Sequence, residues 1–414
     1  MSVTADGMPA NEGRLMSTTS GHADWALVEA LLRPESYPEP RPSRVELRTT
    51  HASWVFLTDA DAWKVKRPVD YGFLDFSTLE KRRRCCEEEV RLNRRLAPDV
   101  YLGVVPVRRG DGAITLQGDG EIVDYAVRMR RLPDGASARS MLAGGDLRPQ
   151  HLERLARRLT RFYASAAEPP GNGSPDALHT NVRENFDQVE PYRGRFVDAA
   201  TFQRVREWQQ RLLAERAADF GARVATHRIR EGHGDLRLEH VYFLGEEPTV
   251  IDCIEFNERF RVDDVASDVA FLAMELDVND RPDLSAWFLS RFALLSNDYD
   301  LYPVVDLYLS YRAWVRGKVA CFVAADPATP ADKAARKAEE ARLHFALAEA
   351  YTRPYFESPS VVAVGGIIGS GKSTLADALS RELGFPVVSS DPTRKHLAGI
   401  DATERGDEIG RAHV

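Results

Sequence analysis

The sequence predicts an α+β chain of two lobes, small and β-rich first and larger and helical second, followed by the opening β-α-β of an α/β P-loop domain. Three observations carry this. Apolar patterns bounded by turn residues crowd the stretch 53–129. Helical periodicity dominates from 149 to 352. Four apolar residues at 361–364 then lead into a glycine-rich loop at 365–374. The expected organisation is a leader over 1–24, a first domain over 25–355 and a nucleotide-binding segment over 360–414. Within the first domain the small lobe spans about 44–132 and the helical lobe about 133–355.

The leader is polar and rich in Gly, Ser and Thr without an apolar centre, so it reads as disordered rather than as a signal peptide. A short helix is expected over 25–32, ended by Pro34 and a proline-rich linker. Runs at 53–57 and 62–66 form a hairpin, and Lys64 and Lys66, two apart, face the same side of its second strand. A helix capped by Ser77 or Thr78 follows over 79–96. Its carboxylates Glu87, Glu88 and Glu89 could reach back to a strand lysine. In protein kinases a lysine on the third strand pairs with a helix glutamate and holds the nucleotide phosphates, and the order of residues here suits that mechanism. Further strands are expected at 104–107, 113–116 and 122–129. Helices are expected over 149–166, 199–219, 263–277, 283–296, 303–324 and 332–352.

Composition narrows the function. A net charge of −8 over 414 residues gives no reason for general binding to nucleic acid or anionic membrane. The most apolar long stretch, 304–325, carries Asp306, Arg312, Arg316 and Lys318, too many charges for a membrane span of about 20 residues. Four cysteines without CxxC spacing suit reduced thiols in a cytoplasmic protein.

The chemistry concentrates at 232–257. Gly232, His233, Gly234 and Asp235 open the stretch, and Val250, Ile251 and Asp252 close a hairpin whose strands are 241–244 and 249–251. That hairpin is expected to bring Asp235 and Asp252 to the same end of a small sheet. Phosphoryl transfer needs one carboxylate to orient or deprotonate the attacking hydroxyl and another to hold Mg²⁺ on the nucleotide.

The second nucleotide signal is the loop itself. Gly366, Gly369, Gly371, Lys372, Ser373 and Thr374 match G-x-x-x-x-G-K-[ST] with a strand expected before and a helix after. Backbone amides would cradle phosphates, Lys372 would reach the β- and γ-oxygens, and Ser373 would hold Mg²⁺. Asp391 and Arg394 follow as D-x-x-R at the end of an expected strand over 387–390.

Residues 44–355 resemble the aminoglycoside phosphotransferase family, a branch of the protein-kinase-like fold, on the HGD at 233–235 followed by Ile251 and Asp252. Residues 360–414 resemble the beginning of small P-loop kinases of the gluconate- and polynucleotide-kinase type. The first resemblance implies Asp235 as catalytic base, with His233 beside it, and Asp252 as metal ligand. It also implies Lys64 or Lys66 as nucleotide lysine, with Glu88 or Glu89 as partner, and Asp268 as a structural aspartate. The second implies that Asp391 and Arg394 orient an acceptor hydroxyl. One departure stands out: His240 occupies the position of the family's metal-binding asparagine, and imidazole is a poor ligand for Mg²⁺. Glu239, Glu255 or Asn257 could supply the missing oxygen.

A P-loop kinase core needs roughly 150 residues, in line with ordinary domain sizes, and 360–414 supplies 55. Residues 408–414 read as the translation of a common sequencing-adapter run, so the true frame is expected to continue. The expected activity is ATP- and Mg²⁺-dependent phosphorylation of a hydroxyl on a small molecule. Two alternatives stand beside it. One is a nucleotide-binding regulatory module without turnover, motivated by His240. The other places the main activity in a complete P-loop domain acting on a sugar or nucleic-acid hydroxyl.

Overall fold

A computed structural model describes residues 19–72, 74–169, 173–353 and 361–397. Most of the expected leader, 1–18, and the adapter-like tail within 398–414 lie outside the described residues. The chain divides into two compact units. One comprises the chain up to Pro133 with Ile251–Asn257 and Asp326–Pro330, and the other holds the remainder.

The first unit opens with helix α1 (Thr19–Leu31), which begins six residues earlier than the sequence suggested. Strands β1 (Glu46–Thr49), β2 (Ser53–Leu57) and β3 (Asp61–Lys66) follow, then helix α2 (Leu79–Asn93) and strands β4 (Tyr101–Gly110), β5 (Ala113–Thr115) and β6 (Glu121–Arg130). They form a six-stranded antiparallel sheet in the order β1-β2-β3-β6-β4-β5. Strand β1 escaped the sequence reading because Glu46-Leu47-Arg48-Thr49 is a mostly polar edge strand with no clean apolar alternation.

The period of two decides what each face does. On one face Trp54, Phe56, Trp63, Val65 and Ala126 pack with Leu27 and Leu31 of α1. On the other, Leu57, Ala62, Val127 and Met129 pack with Cys86 and Val90 of α2. Lys64 and Lys66 share this second face with Ala62, so the alternation that buries Trp63 and Val65 against α1 turns both lysines toward α2. Helix α2 is capped by the Thr78 hydroxyl, which accepts the Lys81 amide.

The second unit is mainly helical. In order it contains α3 (Ala138–Ala143), α4 (Pro149–Ser165), α5 (Pro175–Val189), α6 (Ala199–Glu215) and α7 (Ala217–Ala225). Short strands β7 (Ile229–Glu231), β8 (Val241–Tyr242), β9 (Thr249–Val250) and β10 (Val262–Asp264) come next, then α8 (Val265–Val278), α9 (Pro282–Ser296), α10 (Tyr302–Ala325) and α11 (Ala331–Ala350). Strands β8 and β9 pair antiparallel with Val241 opposite Val250, which is the expected hairpin with shorter arms. Strands β7 and β10, which flank that hairpin in sequence, also pair antiparallel.

Helices α12 (Lys372–Leu383) and α13 (Ser390–Leu397) complete the described chain. The strand expected at 361–364 does not form among the described residues, and Val361 is 95% exposed. A P-loop strand draws its hydrogen bonds from parallel neighbours, and no described strand pairs with this one. The strand expected at 387–390 is likewise absent, and Ser390 and Asp391 instead open α13.

Candidate active site

The HGD loop lies in the second unit, between β7 and β8. Asp268, in the first turn of α8, accepts the amides of His233 at 2.6 Å and Gly234 at 2.8 Å, and the Tyr163 hydroxyl at 3.2 Å. Gly232 is required here, since a Cβ at this position would fall 2.3 Å from the Asp268 carboxylate. Arg312 of α10 donates to the carbonyls of Gly234 and Ser267, each at 3.2 Å. The loop is thus held by a carboxylate on its amides and a guanidinium on its carbonyl, which orders the backbone leading into Asp235. Such preorganisation suits a residue that must meet a hydroxyl in one orientation.

His233 is buried, and its Nδ1 accepts the Asp235 amide at 3.3 Å. His240 lies at the end of a 3₁₀ turn, with Nδ1 2.8 Å from the Asp235 carbonyl oxygen and 3.5 Å from its carboxylate. A ring nitrogen facing a carbonyl oxygen must donate, so Nδ1 carries the proton. Arg237 donates to Glu275 at 3.0 Å and also pairs with Glu239, while Glu275 accepts the Leu238 amide at 2.9 Å. Glu239, considered from sequence as a spare metal oxygen, is half-exposed and pairs with Arg237.

Asp252 belongs to the first unit, where the remaining charged candidates converge. Lys64 donates to Glu89 at 2.9 Å and to Asp252 at 2.6 Å. Lys66 donates to the other oxygen of Glu89 at 2.5 Å and to Glu255. Burial works against the charge on Lys64, but Asp252 and then Glu89 outweigh it and hold the ammonium well above its usual range. Glu89 is fully buried, and its two lysines overcome that burial and pull its carboxyl below the usual range. Burial pushes the Glu255 carboxyl up, with Lys66 only partly offsetting it. Glu88 points elsewhere on α2 and pairs with Arg91 at 2.6 Å.

Asp252 itself takes a left-handed backbone conformation, φ 65°, which Asp tolerates better than most residues but which needs support from its surroundings. Support comes from two side chains that accept the amides of Asp252 and of the residue after it. The Asp252 amide donates to the Tyr101 hydroxyl at 3.1 Å, and the Cys253 amide donates to the Asn93 carbonyl oxygen at 2.9 Å. The Asp252 side chain remains 43% exposed. Tyr101 and Asn93 were not legible in the sequence, because nothing in their neighbours marks a contact more than 150 residues away.

In the glycine-rich loop, Gly369 and Gly371 have φ near 80°, and α12 starts at Lys372 with Ser373 and Thr374 exposed in its first turn. Gly366 lies opposite Ser370 and Lys372, where a Cβ would meet the Ser370 hydroxyl at 2.7 Å. The Lys372 ammonium donates to the Ile367 carbonyl at 2.6 Å within its own loop. Asp391 and Arg394 are one helical turn apart in α13 and 3.3 Å from each other. Helix α12 packs on α9 through Asp377 with Arg291 at 2.6 Å and through Ser380 with Ser290 at 3.3 Å.

Residues 46–308 match the model of the phosphotransferase enzyme family. Uncharacterized proteins of Mycobacterium bovis and Mycobacterium tuberculosis are 33% identical over 379 residues, 90% of this chain and 72% of theirs. Among solved structures, the GDP complex of wild-type aminoglycoside 2'-phosphotransferase-IIIa is 14% identical over 80% of this chain and 99% of that one, with a TM-score of 0.46. Choline kinase from Cryptosporidium parvum Iowa II is 11% identical over 80% of this chain and 95% of that one, with a TM-score of 0.46. The family match carries the enzyme class with it: a phosphotransferase acting on hydroxyl groups of small molecules, a chemistry that in general uses a nucleotide and a divalent metal. On the extent of that match and on the identity to the mycobacterial proteins, the chain belongs to the phosphotransferase enzyme family.

Proposed function

We propose that the chain transfers the γ-phosphoryl group of ATP to a hydroxyl of a small molecule, with Asp235 as base, Lys64 as nucleotide lysine and Asp252 as Mg²⁺ ligand. The observation that carries this reading is Lys64, bound at once to Glu89 and Asp252. Of the two candidate lysines, Lys64 is favoured. Lys66 is 1% exposed and engaged by two carboxylates, whereas Lys64 shares its charge with a half-exposed aspartate that phosphate oxygens can displace.

The donor chemistry fits a magnesium nucleotide in part. Asp252 offers hard carboxylate oxygens, and Mg²⁺ is commonly held by one or two carboxylates with phosphate and water filling the rest. His240 does not fit, since its Nδ1 donates to the Asp235 carbonyl and imidazole nitrogen suits Mg²⁺ poorly. Bound Mg²⁺ would neutralise charge on the phosphates as it develops. The chain's own residues do the rest. Lys64 neutralises phosphate oxygens, Glu89 fixes the Lys64 ammonium, and Asp235 orients the acceptor hydroxyl and takes its proton.

Asp235→Asn tests this reading. It keeps the side-chain shape and removes the base, so turnover should fall by about 10²–10⁴-fold while nucleotide binding holds. Turnover at the wild-type rate would reject Asp235 as the base.

We also propose that residues 361–397 are a P-loop segment able to take nucleotide phosphates, with Lys372, Ser373 and Thr374 at the start of α12. The left-handed glycines 369 and 371 ahead of that helix support it. ATP binding that survives Lys64→Met and disappears on adding Lys372→Ala would locate such a site. A cytoplasmic place for the enzyme is supported by its few cysteines, none in CxxC spacing.

A further inference from the structure

Glu255 lies three residues beyond Asp252 and is buried in the same unit. Its partner is Lys66, and Lys66 shares Glu89 with Lys64. The five groups therefore form one chain of contacts, Asp252–Lys64–Glu89–Lys66–Glu255. Only its Asp252 end is substantially open to water.

The two lysines are not equivalent in what they can do without Glu89. Lys64 has Asp252 as a second partner at 2.6 Å. Lys66 is 1% exposed, so water cannot replace a lost carboxylate, and a buried ammonium left under-compensated is strongly disfavoured. We propose that Glu255 is a positioning residue for the nucleotide lysine: by holding Lys66, it leaves one oxygen of Glu89 for Lys64. This rests on Lys64 and Asp252 being the nucleotide lysine and metal carboxylate. Without the Glu255 charge, Lys66 draws both oxygens of Glu89. Lys64 then keeps only Asp252, and that closed ion pair masks both the ammonium and the carboxylate that a magnesium nucleotide needs.

The test uses the full chain carrying Lys372→Ala, so that the glycine-rich loop adds no second site, with Mg²⁺ and the non-hydrolysable nucleotide AMP-PNP, binding being read by titration calorimetry and folding by thermal melting. Glu255→Gln should weaken binding by about tenfold, and the double variant Lys66→Met/Glu255→Gln should recover most of that loss. Recovery on removing a second charge is what a merely structural defect would not show. Wild-type affinity in Glu255→Gln, or a double variant as weak as Glu255→Gln, overturns the proposal. If Glu255→Gln does not fold, Glu255→Asp takes its place with a smaller loss and the same two outcomes. Lys64→Met separates this inference from the reading beneath it. Loss of binding in Lys64→Met with none in Glu255→Gln sinks the role of Glu255 alone, whereas unchanged binding in Lys64→Met sinks the nucleotide site itself.

Discussion

Two lysines in this chain are candidates to meet nucleotide phosphates, and their surroundings differ sharply. Lys64 sits on a central strand of a six-stranded sheet, 14% exposed, with Glu89 and Asp252 on its ammonium. Lys372 sits in a glycine-rich loop whose neighbour Ile368 is fully exposed, and its ammonium returns to the Ile367 carbonyl. In sequence the ranking is the reverse, because G-x-x-x-x-G-K-[ST] is a far more specific pattern than a lysine on a strand. The comparison teaches that a motif supplies the chemistry of a site, while packing supplies the fixed geometry that lets the chemistry act. A phosphate-binding loop needs its strand, and a strand needs neighbours to take its backbone hydrogen bonds.

The largest expected effect breaks the comparison directly. Lys64→Met should weaken nucleotide binding about a hundredfold, the ~3 kcal/mol scale for removing one partner of a close charge pair. Lys372→Ala should change phosphoryl transfer to a small hydroxylated acceptor by less than about twofold, as surface substitutions usually do. The opposite ranking in paired titrations and rate measurements would move the main site to the P-loop segment.

A smaller effect sharpens what tertiary support is worth. Asp268→Ala removes the acceptor for two buried amides of the HGD loop, at 2.6 Å and 2.8 Å. Orphaning them should cost ~2–4 kcal/mol of stability, measurable as a lower midpoint in urea. A midpoint within error of wild type would show that the loop holds its form without α8.

The smallest concerns burial of charge within the helical unit. Burial pushes Asp277 up to about 6, with hydrogen bonds from Tyr351 and Ser285 working against it. A carboxyl raised in the folded state favours folding while protonated. Its contribution is therefore present below the unfolded value near 4 and lost as pH rises through about 6. Asp277→Asn should remove that dependence. The stability difference between wild type and variant should fall by ~2 kcal/mol from pH 4 to 7, and a flat difference in urea midpoints would contradict it.

Much of the fold was legible because periodicity is local. The α10 and α11 helices came out within one or two residues, and the β2–β3 hairpin within one, since their apolar residues repeat at the period of the element. The polar edge strand β1 and the short helix α3 were not, because tertiary contacts rather than pattern stabilise them. In the candidate site, the order strand–lysine–helix–glutamate was legible, but the choice of partner was not. Glu88 and Glu89 are adjacent on α2, and one step around a helix sends the first to Arg91 and the second to both lysines.

By itself the sequence determined the residue types of the chemistry: Asp235 after His233 and Gly234, Asp252 after a short hairpin, two same-face lysines, and a glycine-rich loop. Those follow from chain order and side-chain period, which need no partner. Only the tertiary structure decided which carboxylate meets which ammonium, that Tyr101 and Asn93 brace the Asp252 peptide, and that Asp268 and Arg312 clamp the HGD loop. These are contacts between residues far apart in the chain. Burial is what gives them their strength, because a charge or an amide removed from water must find its partner within the protein.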